Sequence, residues 1–180
     1  MDAIVGEANL GWKYNPTDPR IQKMLNAVLT ALSIRTMALN GNVTYWTYWD
    51  FAGKNPSTGE NFGMVDKDTI TPYYPYYVMK WFGNNSAVGD PILNLTVSTS
   101  SNVRTLSWLN SGKLNIMFIH KSSITESITL QGVSGQFNYQ KIDDPSETSY
   151  LNPTVQTGTV NAGDTLTLNG YTVMLLQQTF

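Results

Sequence analysis

Apolar positions change their period near residue 90. Before it they fall into short β-branched runs and helical stripes. Ala3-Ile4-Val5 predicts a buried strand of the parallel kind. Gly6 to Pro16 reads as a loop. Asp18 is a good N-cap, and Pro19 suits the first helical position. Ile21, Met24, Leu25, Val28 and Leu32 then repeat at helical spacing until Asn40-Gly41 ends the run. Val43 to Phe51, rich in β-branched and aromatic residues, predicts a second strand, followed by a polar loop over Ala52 to Asp68. Thr71-Pro72 opens a second helix that runs to Trp81 or Phe82 and stops at Gly83. The order is βαβα, and a right-handed crossover makes the two strands parallel.

After residue 90 the period becomes two. Leu93, Leu95 and Val97 alternate with Asn94, Thr96 and Ser98. Further strands are predicted over 103–109, 113–121, 126–130, 136–142, 154–160, 165–168 and 171–177, with tight turns at Asn110-Ser111-Gly112 and Asn169-Gly170. Seven or eight short strands in this half predict an antiparallel β-sandwich of two packed sheets. The fold class is therefore α+β in two parts, with the seam between Gly83 and Pro91. Aromatic residues mark the same seam: 14 of the 21 precede residue 90. Two parallel strands and two helices cannot bury their own faces as a complete α/β domain, so the first part reads as the tail end of something larger.

Composition narrows the function. Lys and Arg total 11, Asp and Glu total 13, and the net charge is -2. Nucleic acid and anionic membrane surfaces need a local surplus of basic residues, so neither is an expected partner. The apolar stretch from Ile21 to Leu39 is broken by Lys23 and Arg35 and is one-sided, so it is not read as a membrane span. The acidic start Met1-Asp2 lacks the basic segment of a signal peptide. There is no cysteine and one histidine, His120, which removes thiolate chemistry and multi-histidine metal sites from one chain. No metal and no cofactor are expected. Scarce charge and absent cysteine fit an extracellular or envelope-exposed setting.

Three segments carry a family resemblance: Gly6-Glu7-Ala8-Asn9, Tyr45-Trp46-Thr47-Tyr48-Trp49-Asp50 and Asn61-Phe62-Gly63-Met64-Val65. In order and spacing they resemble the last quarter of a clan A retaining glycoside hydrolase, closest to family 39, the β-xylosidase and iduronidase group. That family has Thr and Trp where Gly6 and Ala8 stand, Phe-Ser where Tyr48-Trp49 stand, and Lys-Pro where Thr71-Pro72 stand. The resemblance implies that residues 1–85 are the last two βα units of a (β/α)8 barrel and that residues 90–180 are an accessory sandwich. It makes Glu7 the catalytic nucleophile, Trp46 the floor of a sugar subsite, and Asn9 a residue orienting Glu7.

The residues support this reading on their own terms. Glu7 follows an apolar strand, so it sits at the carboxyl end, where barrel sites lie. The competing reading is a solvated loop glutamate. Asp50 ends the second strand and either binds a sugar hydroxyl or caps a loop, and Trp12 is either a rim ring or a core residue. Trp46 and Trp49 project to opposite faces of a strand. A retaining enzyme needs a second carboxyl group as acid/base. In the resembling family it lies in an Asn-Glu pair far upstream, and no such pair occurs here; Glu60 reads as a surface charge. The chain is accordingly expected to be inactive alone. The rival reading is a non-enzymatic carbohydrate-binding or structural sandwich with a vestigial barrel arm. Carbohydrate is the expected partner, and exposed strand edges and helix faces predict a homo-oligomer or a complementing barrel fragment.

Three other groups read as structural. Tyr73, Tyr76, Tyr77 and Lys80 share a helix face and read as packing. His120 ends an apolar strand and reads as structural or exposed, and Asp143, Asp144 and Glu147 read as a solvated acidic turn.

Overall fold

Strand β1 (Ala3–Ala8) pairs in parallel with β2 (Val43–Tyr48), and helix α1 (Met24–Asn40) lies between them in the chain. The computed structural model describes residues 3–8, 23–41, 43–48, 50–53, 63–95, 100–144 and 153–180, with the backbone alone for 3–8 and 43–45. The chain divides into two compact units, residues 1–80 with 147–153, and residues 81–146 with 154–180.

In the first unit, β1 extends past Val5 to Ala8, where the sequence reads as loop. Helix α1 begins after Lys23, whose extended backbone offers no side-chain cap. The expected cap at Asp18-Pro19 lies outside the described residues. Met24, Ala27, Val28, Ala31 and Ile34 form its buried stripe, one step round from the expected Leu25 and Leu32. Gly41 ends the helix at φ 64, a left-handed geometry that glycine adopts without a Cβ penalty, and its N–H returns to the Met37 carbonyl at 3.3 Å. Buried Asn26 ties α1 to β2 by donating to the Tyr48 hydroxyl at 2.8 Å.

Strand β2 ends at Tyr48 rather than Phe51. The expected loop after it contains a short parallel pair, β3 (Ala52–Gly53) and β4 (Val65–Asp66). Two-residue strands leave no periodicity to read. Helix α2 (Tyr74–Asn85) starts later and ends later than expected. Pro72 is engaged in a bridge with Val65, so Pro75 becomes the proline of the first turn. Gly83 does not stop the helix, because two side chains close its last turn. Asn85 Nδ2 donates to the Trp81 carbonyl at 2.7 Å, and Ser86 Oγ donates to that of Phe82 at 2.8 Å.

The second unit is antiparallel. Six strands follow the order β10-β9-β12-β7-β6-β5: β5 (Ile92–Leu93), β6 (Val103–Asn110), β7 (Lys113–His120), β9 (Gln136–Asp143), β10 (Gln156–Asn161) and β12 (Thr172–Thr179). A two-stranded sheet pairs β8 (Thr125–Thr129) with β11 (Thr165–Asn169). Ile128, Leu166 and Leu168 of the small sheet join Val103, Ile116, Phe118, Phe137, Met174 and Leu176 of the large one in a single core. The opposite face of the large sheet buries Leu106, Trp108, Met117, Ile119, Ile142, Val173 and Leu175. Burial on both faces explains why β7 reads as a continuous apolar run. Polar residues within it are paired: Gln177 Nε2 donates to both Asn115 Oδ1 and Asn85 Oδ1 at 2.8 Å.

His120 is fully buried at the end of β7. Its Nδ1 bonds the Gly170 carbonyl, and its Nε2 lies 3.6 Å from Glu126 Oε1. A carbonyl only accepts, so Nδ1 is the donor in that bond. The expected solvated turn at Asp143-Asp144 is instead largely covered: Asp144 is buried, and Asp143 Oδ2 lies 3.0 Å from Lys141 Nζ. Glu147 lies outside the described residues.

Candidate active site

Parallel pairing sends β1 and β2 to the same edge, so their carboxyl ends are neighbours. Val5 faces Trp46 and Ala8 faces Tyr48, so three steps along β1 match two along β2. The extra residue is a bulge at Gly6-Glu7, the kind of irregularity that re-aims a side chain at the end of a strand. Glu7 therefore occupies the carboxyl end of β1 in the bulge, beside the end of β2. Its side chain, together with Asn9, Trp12, Trp49, Glu60 and Phe62, lies outside the described residues.

Trp46 is half-buried and meets Tyr48 edge to face, with centroids 6.4 Å apart and planes at 87°. Its Nε1 is buried and has no hydrogen-bond partner among the described residues. Leaving such a donor unpaired costs about 1–3 kcal/mol, so the position favours an arriving acceptor. Asp50, just past β2, has the complementary defect: its Oδ1 is buried without a partner among the described residues. Burial pushes the Asp50 carboxyl above its ordinary value, against a smaller opposing pull from a backbone hydrogen bond. One unpaired donor and one unpaired acceptor thus flank the end of β2. Uncharged polyhydroxyl ligands supply both partners.

Met64 N–H reaches the Asp50 carbonyl at 3.1 Å and that of Phe51 at 3.0 Å, which fixes the chain after β2 against the segment entering β4. Gly63 makes this approach possible, since a Cβ there would sit 2.1 Å from Gly53 N. Sequence reading missed the network beyond it. Asp66 is buried and accepts from Thr69 N at 2.8 Å, Asp68 N at 3.0 Å, Thr69 Oγ1 at 2.9 Å and Tyr73 Oη at 3.2 Å. Burial raises its carboxyl, but the four hydrogen bonds outweigh burial and hold it below its ordinary value. An Asp followed three residues later by Thr was the available signal. Tyr73 belongs to this network rather than to the helix face expected for it. Tyr76 and Tyr77 pack edge to face at 5.4 Å, with Lys80 Nζ 5.8 Å from the Tyr76 centroid.

The cluster at His120 offers no relay. Ser100 Oγ and Asn102 Nδ2 both donate to Glu126, so the serine faces the carboxylate rather than the imidazole. These bonds, led by that from Ser100, hold the Glu126 carboxyl below its ordinary value. Among the described residues no three His, Asp or Glu side chains gather to hold a metal ion, and no helix is long and apolar enough to cross a membrane.

The fold is similar to part of the solved structures of family 30 and family 51 glycoside hydrolases. The family 30 subfamily 8 xylanase Xyn30A of Clostridium acetobutylicum matches with a TM-score of 0.68 at 20% identity, over 100% of this chain and 43% of that one. The family 51 α-L-arabinofuranosidase of Thermotoga petrophila RKU-1 matches with a TM-score of 0.69 at 10% identity, over 98% and 43%. The endo-β1,6-glucanase BT3312 matches with a TM-score of 0.57 at 13% identity, over 100% and 36%. The chain thus spans about two fifths of the length of these solved structures. No protein-family model and no curated protein matches the sequence. At such identities the likeness is one of fold.

Proposed function

We propose that this chain is the carboxy-terminal portion of a retaining glycoside hydrolase, with residues 1–85 forming the last two βα units of a barrel and residues 90–180 an accessory sandwich. Glu7 is its nucleophile, Trp46 stacks on the sugar, Asp50 and Asn9 bind or orient, and Trp12 lies at the rim. The observation that carries the proposal is the bulged parallel pair that puts Glu7 at the carboxyl end of β1, beside the strand bearing Trp46. The unpaired Trp46 Nε1 and Asp50 Oδ1 add support, because a sugar ring with its hydroxyl groups satisfies both. The family 39 likeness of the three motifs and the family 30 and 51 folds agree at the level of clan.

Retaining hydrolysis needs a nucleophile and an acid/base about 5–5.5 Å apart. In this reading the acid/base lies on a strand these residues do not supply, and without it the leaving oxygen goes unprotonated. The 180 residues alone therefore have no appreciable glycosidase activity. The named neighbours make aryl β-xylosides and aryl α-L-arabinofuranosides the first probes. Purified chain should not turn them over. Mixing it with a polypeptide supplying the six preceding βα units should yield turnover that Glu7→Gln abolishes. Turnover by the chain alone, or a complemented enzyme indifferent to Glu7→Gln, would refute the assignment.

A further inference from the structure

We propose that the antiparallel unit carries an oligosaccharide-binding groove of its own, between β9, β10 and β11, for a neutral sugar chain. The inference does not rest on the assignment of Glu7.

A cavity of about 560 Å³ opens there, lined by Tyr139, Lys141, Asp164, Thr165, Leu166 and Met174 among others. That volume lies within the range of small-ligand sites. Its aromatic surface has a specific origin. Gly158 faces Tyr139 across the β9–β10 pair, and a Cβ at 158 would stand 2.9 Å from the Tyr139 ring and hydroxyl. The ring lies across the glycine as a plate, a use of strand glycine that another residue would block. The negative face of an aromatic ring attracts the polarised C–H groups on the apolar side of a pyranose.

Polar groups surround that plate. Asp143 Oδ2 neutralises the Lys141 ammonium at 3.0 Å, although it lies off-axis for a hydrogen bond. Lys141 therefore offers donors without drawing an anion. Asp164 accepts from Asn161 N and Nδ2 through Oδ2 and adds negative charge to the lining. The balance disfavours a uronate and suits hydroxyl groups. Strand β10 pairs only with β9, and β11 only with β8, so each leaves one backbone edge open among the described residues. Those edges alternate donors and acceptors along the groove. An extended peptide would also use them, but the aromatic plate and the charged groups within the lining favour a sugar.

The test is an amide NMR titration of the full chain with xylohexaose and with cellohexaose. At least one should shift the amides of Gly158, Thr159, Thr165 and Thr167, with saturation on the order of 1 mM. Tyr139→Ala should weaken binding at least about tenfold. Thr165→Arg, which puts bulk at an exposed position of the lining, should abolish it while spectral dispersion is kept, and it decides the matter if Tyr139→Ala fails to fold. Absence of groove shifts up to about 10 mM of either sugar would overturn the proposal. So would indifference to both variants, or groove shifts produced by an extended peptide and by neither sugar. Shifts confined to β1 and β2 would support the barrel site and sink this one.

Discussion

Gly63 and Gly53 touch backbone to backbone: a Cβ at position 63 would lie 2.1 Å from Gly53 N and 2.8 Å from its Cα. Both obstructing atoms are main chain, so no side-chain rotation relieves the clash. Gly63→Ala should therefore separate β3 from β4 and destabilise the first unit by about 3 kcal/mol, at the upper end for overpacking. Urea unfolding curves for the two proteins give the measure. A change under about 0.5 kcal/mol would mean that the two strands do not approach in this way.

Ile70 is a β-branched residue at φ 55, exposed in the turn between β4 and α2, with its N–H on the Asp66 carbonyl at 2.8 Å. Left-handed backbone costs such a residue about 1–2 kcal/mol, and asparagine tolerates it better. Ile70→Asn should raise stability by about 1 kcal/mol and the melting temperature by a few degrees. Thermal unfolding followed by circular dichroism checks the sign.

Trp108 is 1% exposed, packs edge-on against Phe82 at 5.6 Å and donates Nε1 to the Asn85 carbonyl at 2.6 Å. Trp108→Phe removes the donor, leaves that carbonyl short of a partner and opens a cavity. The loss should be about 2–4 kcal/mol, in keeping with the two effects together. Trp108 also reports on the end of α2, so amide exchange in Phe82 to Asn85 should accelerate in the variant.

Stability should fall on acidification. Asp66 and Glu126 are both held below their ordinary values of 3.8 and 4.5. Each contributes stability that is complete above the ordinary value and is lost as pH falls through the lower folded one. Asp50 has the opposite sign: its folded value is raised, so its penalty is absent below 3.8 and develops as pH rises through the folded value. Denaturation midpoints between pH 3 and 7 should show a gentler acid slope in Asp66→Asn and in Glu126→Gln, and a gain near neutrality in Asp50→Asn. An unaltered slope in the first two would contradict the hydrogen-bond assignments.

These features differ in how visible they are in the sequence. Strands β6 to β12 follow from apolar runs, alternation and turn residues, because these are local, whereas the pairing of β8 with β11 and of β12 with β7 and β9 is not. The parallel pairing of β1 and β2 follows from the intervening helix. Pro72 and Gly83 mislead because distant partners reassign them: Val65 engages Pro72, while Asn85 and Ser86 carry the helix past Gly83. Gly63 stands out through the family motif, yet its physical reason depends on a strand pair two residues long. At the candidate site, Glu7, Trp46 and Asp50 are legible as residue types. The bulge under Glu7 and the unpaired atoms of Trp46 and Asp50 arise only once two strands set a register. The groove beside Tyr139 is invisible to periodicity, since it combines a missing side chain on one strand with a ring on the next.

The border between the two units, at Lys80 and Trp81, falls inside α2, so one continuous helix belongs partly to each. A scission at that border would take from the second unit the turns that lead into Trp81 and Phe82. Dissecting this chain therefore calls for a start before Tyr74, which leaves the helix whole.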